Sequence, residues 1–143
     1  MSKLWRFQTN NQINRDSYTH RTKECTDNDN KNVDGSLKIK LINIPQKTDN
    51  AYIKYWAPIP SEKDHETSTE AFSEMNGGMA KVEFGITTLV LNPPVGYKEN
   101  MKYHPAHVNY QLIECMLVGD IKRIYTSLLN KIDGEYIAPY AER

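Results

Sequence analysis

Cations placed near aromatic residues are the strongest chemical signal in this chain. Tyr52, Tyr55, Trp56 and Phe84 fall on segments that read as strands, while Lys38, Lys40, Lys54, Lys122 and Arg123 supply positive charge. Aromatic faces stack on bases and cations hold phosphate, so a pocket of such residues suits a small anion of nucleotide type. The candidate ligand-binding residues are Arg123, Lys122, Trp56, Phe84 and Lys102, the last from the loop Tyr97 to Tyr103 that also carries Lys98. The opposing reading is that the aromatics are core and the cations solvated.

Catalytic signals are weaker. His104 and His107 sit at i and i+3, and His65 offers a third nitrogen, but a zinc site needs three or four ligands in a recognisable spacing. Neither Cys-x-x-Cys nor His-Glu-x-x-His occurs. Cys115 lies between Leu112 and Met116 on an apolar stripe, where a thiol is usually inert packing. Glu114 and Asp120 are six apart and point in different directions on a helix. Gly77-Gly78 precedes a strand, whereas a phosphate loop follows a strand and opens a helix. No catalytic residue, metal site or cofactor is therefore assigned.

The elements that must position these groups follow from periodicity. Leu37, Ile39 and Leu41 alternate with Lys38 and Lys40, the mark of a strand with one wet face. A second strand runs from Ala51 to Ile59, and the short connection predicts an antiparallel hairpin ended by Pro58 and Pro60. Thr67 followed by Glu70 forms a capping box for a short helix over Ser68–Asn76, which Gly77-Gly78 stops. Strand character returns from Met79 to Asn92, and Val95 to Tyr103 reads as a loop.

The stretch Pro105 to Ile132 reads as one long helix. Ile113, Leu117, Ile121, Ile124, Leu128 and Ile132 recur in steps of three or four. Val108, Leu112, Cys115 and Met116 form a second stripe on the other side. At about 1.5 Å per residue it would be roughly 40 Å long. Two apolar faces demand two partners, so residues 105–132 are the expected homo-oligomer interface. Gly134 ends the helix, and Tyr136, Ile137 and Tyr140 dock the tail. In the polar first third, Leu4, Trp5 and Phe7 belong to a strand or docking arm. Ser17 to Glu24 alternates at strand spacing, and residues 26–35 read as an exposed loop. The expected fold is a single α+β domain over 1–143, an antiparallel sheet of about four strands packed against one long C-terminal helix, with a short middle helix.

Bulk composition narrows the function classes. The chain has 143 residues, with 18 basic and 18 acidic side chains and a net charge of zero. A nucleic-acid binder normally carries a basic excess, so charge argues against that partner. No apolar run approaches the ~20 residues of a membrane span, and the first ten residues lack an apolar signal core. Two scattered cysteines, Cys25 and Cys115, make no disulfide framework, so the cytoplasm is the expected compartment. Abundant Asn and Lys with scarce Arg suit an AT-rich bacterial or phage genome. The expected function is a non-enzymatic, homo-oligomeric binding protein, possible in a phage, that sequesters a small anionic, nucleotide-like ligand. The alternatives are a small hydrolase using His104 and His107, or a structural or interaction protein without a ligand.

Overall fold

The computed structural model describes residues 31–115 and 117–141. The expected arm at Leu4, Trp5 and Phe7, the segment Ser17 to Glu24, Cys25 and the first half of the 26–35 loop lie outside the described residues. The molecule is mainly β, 51% strand against 6% helix, so the α+β expectation is overturned.

The strands are β1 (Lys31–Asn32), β2 (Leu37–Ile42), β3 (Ala51–Trp56), β4 (Gly77–Lys81), β5 (Thr87–Leu91), β6 (Tyr97–Glu99), β7 (Lys102–His104), β8 (His107–Glu114), β9 (Leu117–Tyr125), β10 (Lys131–Ile132) and β11 (Glu135–Pro139). A four-residue helix, α1 (Ser68–Ala71), and a 3-10 turn at Thr126–Leu128 complete the described elements. Sheet A has the order β1-β4-β3-β8-β9, sheet B the order β10-β11-β2-β5, and β6 and β7 pair as a separate hairpin. Within sheet B, β11 runs parallel to β2, and the other pairings are antiparallel.

Sheets A and B are the two layers of a sandwich. Ile39 and Leu41 on β2, Leu89 and Leu91 on β5, and Ala138 on β11 meet Ile53 and Tyr55 on β3, Ala80 on β4, and Val108 and Tyr110 on β8 in one buried cluster. Every second residue of each strand points into this layer, as facing sheets require. The alternation at Leu37, Ile39 and Leu41 has this meaning: Ile39 and Leu41 are fully buried, and Lys38 is exposed on the other face.

The long helix over 105–132 does not exist. That stretch folds into β8, β9, the 3-10 turn and β10. A hairpin joins β8 to β9, with Glu114 paired to Leu117 and a register shift between Gln111 and Ile113. The reason is visible in β8, which is buried on both faces from His107 to Glu114. Its sequence does alternate, His107, Asn109 and Gln111 with Val108, Tyr110 and Leu112, but the recurrence of Ile and Leu in steps of three and four from Ile113 onward masks that period-two signal and imitates a helix. The supposed stripe is no buried face either, since Leu117 is 63% exposed and Leu128 73%. The argument for self-association that rested on a two-faced helix goes with it.

Two further expectations change. β2 and β3 do not form a hairpin: they lie in different sheets, β2 beside β5 and β11, and β3 between β4 and β8. The middle helix is confined to Ser68–Ala71, with Gly77-Gly78 opening β4 rather than stopping a helix. Its cap is as the capping box implies, the Thr67 side chain accepting from the Glu70 N–H at 3.1 Å. At Gly77 an added Cβ would come within 2.1 Å of the Tyr55 carbonyl oxygen, so close strand approach excludes any side chain.

One hydroxyl ties the layers together. The Tyr55 hydroxyl donates to the Val90 carbonyl at 2.9 Å and accepts from the Val90 N–H at 3.0 Å. β5 is an edge of sheet B, and the backbone of Val90 finds its partner in the opposite sheet. Tyr55→Phe leaves both backbone groups unmet in a buried setting and should cost about 1–3 kcal/mol. Chemical denaturation measures this. An unchanged midpoint would show that the bridge contributes nothing.

Candidate functional site

Sheet B presents its outer face as a groove of about 490 Å³. Its lining is Ser36, Lys38, Lys40, Thr88, Lys131, Gly134, Glu135 and Tyr136. Lys38 and Lys40 flank the buried Ile39 on β2, so strand alternation sends both side chains outward. Thr88 stands opposite Lys40 in the β2–β5 register. Lys131 of β10 borders the groove two strands away, but it pairs with Tyr136, which pairs with the buried Ile39, so its side chain turns to the core side of the sheet. Its ammonium sits over the Tyr136 ring, 5.2 Å from the centroid. Gly134, at φ +83°, makes the turn that returns β10 into β11 and sets Glu135 at the groove edge.

The electrostatics of this lining differ from those of the whole chain. The chain is neutral, yet among the described residues the groove presents the outward Lys38 and Lys40 against the carboxylate of Glu135. Outward ammoniums in a concavity can hold an anion through charge-assisted hydrogen bonds.

The residues singled out from sequence fall in several places. Trp56 and Arg123 share the outer face of sheet A, because Asn109 of β8 pairs with Trp56 on one side and Arg123 on the other. Trp56 is 1% exposed, packed with Ala71, Phe72 and Tyr97. Arg123 is exposed and braced: its Nε donates to Asn109 Oδ1 at 3.3 Å, and its guanidinium lies 5.9 Å from the Tyr125 ring centroid. Lys122 points to the other face of β9, 5.7 Å from the Tyr140 ring centroid. Lys102 is exposed on the β6–β7 hairpin. Phe84 is 97% exposed in the turn between β4 and β5, at φ +56°. Of the five, only Trp56 and Arg123 stand on one surface. Lys38 and Lys40 were legible as outward cations, but no local pattern tied Lys131, Glu135 or Tyr136 to them.

The catalytic candidates are engaged structurally. His104 stacks on Tyr97 with centroids 4.8 Å apart. His107 is fully buried, with Nδ1 2.7 Å from the Pro105 carbonyl oxygen. His65 Nε2 lies 2.8 Å from the Ile59 carbonyl oxygen. Glu114 Oε2 accepts from the N–H groups of Lys47 at 2.6 Å and Thr48 at 2.7 Å, so this carboxylate pins a loop. Among the described residues no group of three or more His, Cys, Asp or Glu can hold a metal ion.

Cys115 is in a disulfide, which corrects its reading as an inert thiol. The chain's other cysteine, Cys25, lies outside the described residues. Native protein should show no titratable thiol at Cys115 until a reductant is added. A mass-spectrometric label at Cys115 in unreduced protein would contradict this.

A buried ammonium sits on the outer face of sheet A. Lys54 is 5% exposed, opposite Gln111 in register, and 5.5 Å from the Trp56 ring centroid. Burial pushes its ammonium down from 10.5 to about 8. Between pH 8 and 10.5 the unfolded chain therefore holds a proton that the folded chain has released, so stability rises with pH across that window. Burial raises the Tyr55 and Tyr110 hydroxyls, which makes stability fall at still higher pH. Subtracting the profile of Lys54→Met isolates Lys54. Wild type should gain on the variant by on the order of 3 kcal/mol between pH 8 and 10.5. A flat difference curve would refute the shift.

No model of a known family and no curated protein matches this chain, so the functional reading rests on the chemistry of its surfaces.

Proposed function

We propose that the protein is a non-enzymatic binding module that takes a small anionic ligand in the groove on the outer face of sheet B. The observation that carries this reading is the placement of Lys38 and Lys40, both turned outward, in one concavity of a chain with no net charge. A groove of about 490 Å³ is within the size range of small-molecule sites. Both cations come from one strand, β2. The site is thus set on sheet backbone rather than on a loop, which lowers the ordering cost of binding.

The hydrolase alternative draws little support, since His104 and His107 are occupied with ring stacking and a backbone carbonyl. A second binding surface has one specific observation in its favour, namely that Trp56 and Arg123 flank Asn109 on sheet A. Trp56 is buried there, so a stacking ligand has no open ring face to meet. No helix among the described residues is long and apolar enough to cross a membrane. The cytoplasmic expectation rested on the lack of a visible signal core, with the two scattered cysteines in agreement. With Cys115 in a disulfide, an oxidising compartment suits this module better.

Calorimetric titration with inorganic phosphate and pyrophosphate tests the groove. Lys40→Ala removes one charge-assisted contact, worth roughly 1.5–3 kcal/mol, and should weaken binding by on the order of ten- to a hundred-fold. Arg123→Ala and Lys102→Ala should bind as wild type does. Loss of binding in Arg123→Ala with Lys40→Ala unaffected would move the site to sheet A. An absence of anion binding would end the proposal.

A further inference from the structure

Building on the anion-binding reading of the sheet B groove, we propose that its ligand is a phosphorylated sugar or polyol rather than a nucleotide. A nucleotide pocket offers an aromatic face to the base. Among the described residues the one aromatic lining this groove is Tyr136, and its ring is already engaged on the core side of the sheet. The Lys131 ammonium lies over the ring at 5.2 Å, and the half-buried side chain packs against the sandwich core. No base can stack there without displacing Lys131 from the ring.

What the groove offers instead is a mixed set of donors and acceptors. The Lys38 and Lys40 ammoniums donate, the Ser36 and Thr88 hydroxyls donate and accept, and Glu135 accepts. In the parallel register of β11 and β2, Tyr136 pairs with Ile39. One step earlier the same register sets Glu135 beside Lys38. A carboxylate next to a lysine is unfavourable for a ligand that is charged along its whole length. It is favourable for one with a phosphate at one end and hydroxyls at the other, because the carboxylate accepts from hydroxyls while a lysine holds the phosphate. Lys40 then takes the phosphate, and Glu135 with Lys38 takes the hydroxylated body.

The test is calorimetric titration of wild type, Lys40→Ala and Glu135→Gln with inorganic phosphate, a hexose 6-phosphate and adenosine monophosphate. Wild type should bind the hexose phosphate on the order of tenfold more tightly than either of the others. Lys40→Ala should weaken all three. Glu135 is exposed beside a turn, so its replacement leaves the core untouched. Glu135→Gln should cancel the hexose advantage and leave phosphate affinity within about twofold of wild type. Adenosine monophosphate binding as tightly as the hexose phosphate overturns the inference, as does an equal effect of Glu135→Gln on phosphate and hexose phosphate. If phosphate binds and the sugar adds nothing, the ligand class falls while the anion groove stands. If none of the three binds, both fall.

Discussion

The Tyr55 hydroxyl is the contact on which the arrangement of the two sheets turns. It leaves sheet A from β3, crosses the core and meets both backbone groups of Val90 on β5. An edge strand carries a row of unpaired N–H and C=O groups, and burying them unmet is costly. Here one side chain satisfies two of them, so β5 can sit at the edge of sheet B and still pack on sheet A. Tyr110 does related work at the other side of the core, its hydroxyl accepting from the Ala141 N–H at 2.9 Å where the chain leaves β11. Asn76, 1% exposed, joins the segment before β4 to the one after β5. Its Nδ2 donates to the Pro58 and Asn92 carbonyls, and its Oδ1 accepts from the Asn92 N–H. The sandwich is thus closed by buried polar groups that each have a defined partner, as well as by apolar packing.

The groove is a consequence of that closure. β11 inserts between β10 and β2, parallel to β2. Its inward residues, Ala138 among them, fill the core. Its placement carries Glu135 from the end of the chain to Lys38 and Lys40, about ninety residues earlier in sequence. Sheet A has a different fate. Its outer face is buried at Tyr52, Lys54, Trp56, Asn109 and Gln111, and the Gln111 Oε1 has no hydrogen-bond partner among the described residues. One sheet therefore keeps an accessible polar face, and the other spends its polar residues inside the molecule.

Local patterns were readable wherever one face was wet. The strand at Leu37 to Leu41 shows strict alternation, and Ile39 and Leu41 are indeed the residues in the core. The Thr67–Glu70 cap is readable because it is made within four residues. Lys38 and Lys40 could be recognised as outward cations for the same reason. Residues 105–132 defeated this reading. His107, Asn109 and Gln111 on β8 do alternate with Val108, Tyr110 and Leu112, but the Ile and Leu residues recurring in steps of three and four from Ile113 onward outweighed that short signal, and the burial of the polar side is set by packing alone. Phe84 illustrates the converse: an aromatic residue taken for a binding or core group stands in solvent at a turn with φ +56°.

By itself the sequence determined the short-range features: the β2 strand and its wet face, the α1 cap, the proline stops, and the lack of any charge excess for nucleic acid. The tertiary structure alone decided that the chain is a sandwich, that β2 and β3 part into different sheets, and that Glu135 joins Lys38 and Lys40 at one groove. Periodicity reports which side of a segment meets water, and that depends on neighbours within a few residues. Strand pairing depends on partners tens of residues away, whose choice is governed by burial summed over the whole core. The alternation over residues 107–112 marks β8 as a strand, but that its polar side is buried as well is decided only by what covers it in the fold.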